Sequence, residues 1–225
     1  MDGLIRLRVA RKWPVAPDVL AFELTAHDAQ KLPEFEAGAH IEIEVLGHES
    51  GFFRPYSLCN APHEKRCYVI AVKRERTGKG GSAWLHDKLH VGQIAQSSLP
   101  INNFALNRSA VHSVLLAGGI GIAPLMAMAH DLQRRAASFE VHYSARNHQQ
   151  AAFSQALTTS AWRYRLHGHW SENANDRIDF KRIFATAPRL SHVYICGPSR
   201  YMEAALGAAQ SAGLPHDNLH FESFD

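Results

Sequence analysis

The sequence predicts an antiparallel β-barrel followed by a doubly wound parallel α/β domain. Three observations carry this. Residues 4–98 hold six short period-two apolar runs with one helical stretch among them. From about residue 113 strand-like and helical stretches alternate, the pattern of a parallel sheet with helices on both faces. The change falls at "LNRSA", residues 106–110, where polarity rises without a long linker, giving domains of residues 1–106 and 107–225.

The barrel strands are read from "LIRLRVARKW", "VLAFELTA", "HIEIEVLG", "RPYSLCN", "RCYVIAVKRE" and "GQIAQSSL", parted by Pro, Gly and Asp turns, with a helix over residues 82–89. In the second half the strands are "SVLLAG", "FEVHYSA", "YRLHGHW", "HVYICG" and "NLHFES". The intervening helices are "APLMAMAHDLQRR", "QAAFSQAL", "FKRIFATA" and "RYMEAALGAAQSAG".

Composition narrows the function. At 225 residues, 46% hydrophobic and 20% charged, the chain reads as an ordinary globular protein. A net charge of +3 with scattered cations argues against nucleic acid. The N-terminus lacks a signal-peptide core, and the longest uncharged run, residues 114–129, is interrupted by glycines and a proline, so no membrane span is expected and a cytoplasmic location is. Three separated cysteines suit neither a disulfide framework nor an iron–sulfur cluster.

"LLAGGIGIAP", residues 115–124, empties an apolar strand into a glycine-rich turn and a helix. Gly119, Ile120 and Gly121 would let backbone approach a ligand, and helix-start amides favour pyrophosphate or ribose oxygens; Pro124 suits a first helical turn. A tight connection with no ligand is the competing reading. "VYICGPSRYMEAAL" repeats the pattern, so Cys196, Gly197 and Pro198 could line the same crevice, although a lone cysteine is more often a small buried hydrophobe.

In "FRPYSLCN", Pro55 favours a strand start or edge. There Tyr56 offers a stacking face, Ser57 a hydroxyl and Arg54 a fork for an anion, with an unremarkable edge strand an equal alternative. In "VKRERTGKGGSAWLHDKL", Gly78, Gly80 and Gly81 lead to Ser82 as an expected N-cap, aiming amides at a phosphate with Lys73, Arg74 and Lys79 nearby. The fifteen histidines suggest no metal: His167 and His169 share a strand face, but no Asp, Glu or Cys stands at ligand spacing in the sequence.

Taken in order, R-P-Y-S, G-K-G-G-S, L-A-G-G-I-G-I-A-P, C-G-P and a final E-x-aromatic resemble the ferredoxin-NADP reductase superfamily, most closely the reductase components of Rieske aromatic oxygenases. The resemblance covers essentially the whole chain. It implies a flavin along Arg54, Pro55, Tyr56 and Ser57. It places the flavin phosphate at Gly80, Gly81 and Ser82 beside Val72 and Lys73. It puts a nicotinamide nucleotide against Gly118, Gly119, Gly121, Pro124 and Cys196 to Pro198. Ala123 departs from the Thr common among relatives.

The resemblance also implies FMN rather than FAD, and hydride transfer from NADH with single-electron release to a [2Fe-2S] ferredoxin domain or protein serving a Rieske-type oxygenase or demethylase. In "HYSARN", Ser144 and Arg146 replace the acid expected for a ribose diol, which leaves NADPH open. Ser57 would position the nicotinamide, Glu222 would be its proton-handling companion, Cys196 would pack beside the reacting carbon, and Phe224 would cover the flavin. The sequence given lacks length and cysteines for the ferredoxin domain that similar reductases carry. A free-standing reductase of ferredoxin or flavin, and a non-catalytic flavin-binding regulatory module, are the alternatives.

Overall fold

The computed structural model describes residues 3–27, 31–46 and 51–224. It divides into two compact units, residues 1–105 and 106–225.

The first unit is an antiparallel six-stranded sheet. Its strands are β1 (Leu4–Ala16), β2 (Val19–Ala26), β3 (His40–Val45), β4 (Phe52–Ser57), β5 (Tyr68–Lys73) and β6 (Ile94–Ser98), in the order β4-β3-β6-β1-β2-β5. The alternation that identifies the strands also builds the core: Leu7, Val9, Phe22, Leu24, Ile41, Ile43, Ile70 and Val72 are fully buried in one cluster. Beyond β4 the sheet curls toward its other edge, where Leu58 bridges Ile70 and the Cys59 amide donates to the Val69 carbonyl at 2.8 Å. Pro55 lies within β4, and β4 is an edge strand, so its missing N–H breaks no ladder.

Helix α1 (Gly81–Lys88) starts from Gly80, whose φ of 85° needs glycine. The expected serine cap does not form. Ser82 sits inside the helix and its Oγ accepts from the Glu75 amide at 2.9 Å, tying the helix to the preceding loop. Lys12 from β1 closes the other end by donating to the carbonyls of His86 and Leu89 at 2.7 and 2.8 Å, satisfying acceptors that a helix C-terminus leaves free.

The second unit is a parallel five-stranded sheet in the order β11-β10-β7-β8-β9: β7 (Ser113–Gly118), β8 (Phe139–Ala145), β9 (Leu166–Trp170), β10 (His192–Cys196) and β11 (Leu219–Glu222). Between them run α2 (Ile122–Arg134), α3 (Ser154–Thr159), α4 (Phe180–Thr186) and α5 (Ser199–Ser211). Every residue of central β7 is buried, as a strand covered on both faces requires. On one face Val114, Leu116, Val193 and Ile195 pack with Ile183 and Phe184 of α4 and Met202, Ala205 and Ala209 of α5. Chain order reverses at β7, so the carboxyl ends of β7 and β10 flank the switch point where open parallel sheets take their ligands. No helix among the described residues is long and apolar enough to cross a membrane.

Candidate functional site

Each unit presents a candidate site of its own. In the first, β4 holds Arg54, Tyr56 and Ser57 in line. Ser57 is buried and Pro55 exposed, while Tyr56 packs against the barrel core. Burial pushes the Tyr56 phenol up to about 12 despite the Arg54 cation beside it, so it stays a neutral hydrogen-bonding ring. Arg54 lies over the Phe52 ring at 4.7 Å and, among the described residues, has no carboxylate partner.

The start of α1 is held against this strand. A β-carbon on Gly81 would come within 3.2 Å of Arg54 Cγ and 3.3 Å of Phe52 Cε2, so only glycine lets the helix start lie so close. Arg54, Gly80 and Gly81 therefore converge, and a guanidinium beside helix-start amides suits a phosphate. Two of the other expected cations, Lys73 and Arg74, are engaged. Lys73 Nζ pairs with Glu75 at 3.1 Å, and Arg74 makes a two-pronged pair with Asp87 of α1. The Val72 side chain is in the core and its carbonyl is bonded to His86 Nε2 at 2.8 Å, so it packs the barrel rather than presenting a ligand group.

In the second unit the two glycine-bearing turns meet backbone to backbone. A β-carbon on Gly121 would fall 2.1 Å from the Cys196 carbonyl oxygen; one on Gly118 would lie 3.0 Å from Pro198, and one on Gly197 3.0 Å from Gly118 Cα. Three of the glycines thus let the turns fit each other. Gly119 is different: φ is 55° and the space a β-carbon would enter is open, which leaves it as the glycine facing room for a ligand. Pro124 occupies the first turn of α2.

Beside the turns, Ser144 Oγ at the end of β8 and Tyr201 Oη on α5 are buried and face each other, a pair of hydroxyls that a polar ligand could join. Arg146 is exposed, with no ion pair among the described residues. Sequence reasoning missed Glu172, which follows β9 and accepts from Asn147 Nδ2 at 2.5 Å. An acid does reach the neighbourhood of Arg146, from 26 positions along the chain.

Cys196 is fully buried, and burial together with the Glu222 charge pushes its thiol far up, so it is a packing group and not a thiolate. Glu222 is its register partner on the neighbouring parallel strand. Phe224 follows β11 and is 48% exposed.

One expectation is overturned. A carboxylate does stand at ligand distance from the histidines: Glu140, His142 and His167 offer donor atoms within 4.8 Å of one another. Parallel pairing of His142 with His167 creates the cluster, which no linear spacing displays.

Residues 6–105 match the family model of the oxidoreductase FAD-binding domain. The whole chain is 38% identical to phthalate dioxygenase reductase of Burkholderia cepacia over 226 residues, covering 99% of this chain and 68% of that protein. It is 39% identical to the vanillate O-demethylase oxidoreductase of Pseudomonas putida, covering 93% and 65%. A solved phthalate dioxygenase reductase, described as a modular structure for electron transfer from pyridine nucleotides to [2Fe-2S], superposes with a TM-score of 0.91 over 99% of this chain and 68% of its own. The chain belongs to the oxygenase-reductase family of flavin-dependent oxidoreductases. It spans about two thirds of the length of these members. The family's fold, an antiparallel flavin-binding sheet followed by a parallel five-stranded sheet, is the one described above.

Proposed function

We propose that the chain takes electrons from a reduced nicotinamide nucleotide onto FMN and passes them singly to a [2Fe-2S] acceptor, in a ferredoxin domain or protein that serves a Rieske-type oxygenase. A bound flavin supplies the chemistry that joins a two-electron donor to a one-electron acceptor; the chain binds and orients. The observation that carries the reading is the backbone contact of the Gly118–Gly121 and Cys196–Pro198 turns at the switch point, with the buried hydroxyls of Ser144 and Tyr201 beside them.

In this reading Arg54, with the amides after Gly80, holds the flavin phosphate, and Tyr56 and Ser57 lie along the ring system. FMN is favoured over FAD because the similar family members include dioxygenase and demethylase reductases. Gly119 and the start of α2 take the nucleotide diphosphate. Cys196 packs beside the nicotinamide as a neutral thiol. Glu222, its strand neighbour, orients the carboxamide or handles protons with Ser57, and Phe224 covers the ring face until the nicotinamide stacks. NADH is favoured as donor, with Arg146 able to receive a 2′-phosphate.

The purified chain should be yellow, release FMN on denaturation, and bleach when NADH is added without oxygen. A colourless chain that takes up neither FMN nor FAD would overturn the proposal, and flavin binding without NAD(P)H oxidation would favour a regulatory module.

A further inference from the structure

His142 is a buried imidazole whose Nε2 faces Glu140 Oε2 at 3.5 Å. Its other nitrogen, Nδ1, lies 3.0 Å from His169 Nε2. In the tautomer that donates from Nδ1 to His169, Nε2 carries the lone pair that an ion between it and the carboxylate would take. A metal-bound imidazole is commonly oriented in this way, through its second nitrogen.

His167, the register partner of His142 on β9, stacks on it with ring centroids 4.8 Å apart. Its donor atom, with those of Glu140 and His142, closes a triangle no wider than 4.8 Å. Donors bound to one tetrahedral ion at about 2.0–2.1 Å stand roughly 3.4 Å apart. Glu140 and His142 are already at that separation, and exposed His167 has the rotamer freedom to close the remainder.

We propose that Glu140, His142 and His167 form a binding site for a divalent first-row transition-metal ion, with Zn2+ as the representative ion. Two imidazoles and one carboxylate form a donor set suited to such ions, and three protein donors leave a coordination position open. That position opens on a cavity of about 440 Å³ bounded on the α4 side by Arg182, Ile183 and Thr186. His112 Nε2 lies 3.9 Å from the second carboxylate oxygen of Glu140. The ion would clamp the edge strand β9 to β8 on the face that carries Ser144 two residues farther along.

The test uses the tag-free full chain, stripped with chelator, and reads metal rather than turnover. Titration with Zn2+ should give one equivalent bound, and Co2+ should bring up the visible absorption of a low-symmetry nitrogen and oxygen site. Exposed His167→Ala, which should leave the fold intact by circular dichroism, is expected to lower Zn2+ affinity tenfold or more, and Glu140→Gln likewise. His216→Ala, outside the cluster, should bind as the parent does. Absence of stoichiometric binding at micromolar free Zn2+, or equal affinity in His167→Ala and the parent, would overturn the site whether or not the chain oxidises NADH.

Discussion

Gly121 occupies a position where a β-carbon would sit 2.1 Å from the carbonyl oxygen of Cys196, a distance that only displacement of one turn could relieve. Gly121→Ala should therefore destabilise the second unit by about 1–3 kcal/mol, the usual cost of overpacking, measured by denaturant unfolding. Gly119→Ala meets no atom and costs only the left-handed backbone, about 1 kcal/mol, yet it places a methyl group in the space proposed for the nucleotide. It should raise the KM for NADH more than it lowers stability. The opposite ranking would return Gly119 to the turn and take it away from the ligand. At Arg146 the guanidinium is exposed and makes no ion pair among the described residues. Arg146→Ala should weaken NADPH about tenfold or more, the scale of one charge-assisted hydrogen bond, while leaving NADH nearly unchanged. Equal losses would assign the side chain to a part the two nucleotides share.

Among elements, β10 and β11 carry a pH-dependent contact. His192 Nδ1 and His220 Nε2 are 2.9 Å apart with their rings stacked, and Tyr194 stacks on the other neighbour position of His220. Burial lowers both imidazoles below the ordinary range, and for His220 the charge of His192 lowers it further. An unfolded histidine titrates near 6.5, so below about pH 6.5 the unfolded chain binds more protons than the folded pair does. The pair's contribution is thus complete above that pH and is lost as pH falls through the lowered folded values. Denaturation midpoints should fall from about pH 7 to pH 5, and His220→Phe should flatten the slope in that window. An unchanged slope would remove the pair from acid sensitivity. The same elements show how local pattern becomes structure: the apolar run "SVLLAG" is β7 to the residue, because burial on both faces leaves no other place for it. The start of α1 went otherwise. Serine is a good cap, but Gly80 in the left-handed region starts the helix one residue earlier and leaves the Ser82 hydroxyl for the Glu75 amide.

For the whole molecule, binding of flavin to the folded state alone should raise stability by mass action, about 2.7 kcal/mol at a hundredfold excess over Kd. Added FMN should therefore shift the melting transition upward in the parent and less in Arg54→Ala, which removes the guanidinium from beside the helix start. No shift with FMN or FAD would deny the barrel its flavin. The strand and helix rhythm, the change of rhythm near residue 106 and the four glycine and proline motifs all lie within short windows, where backbone preference and apolar periodicity act. That is why fold class, family resemblance and most of the proposed site were legible in the sequence. Which glycines serve a ligand and which serve a neighbouring turn was not, because Gly121 and Cys196 are 75 positions apart and meet only through parallel pairing of β7 with β10. The sequence alone determined two sheets and the motifs at their ends. Only tertiary structure decided that Gly119 is the open glycine of its turn, that Arg54 stands beside the start of α1, and that Glu140 reaches two histidines, because each is a through-space relation that strand register creates.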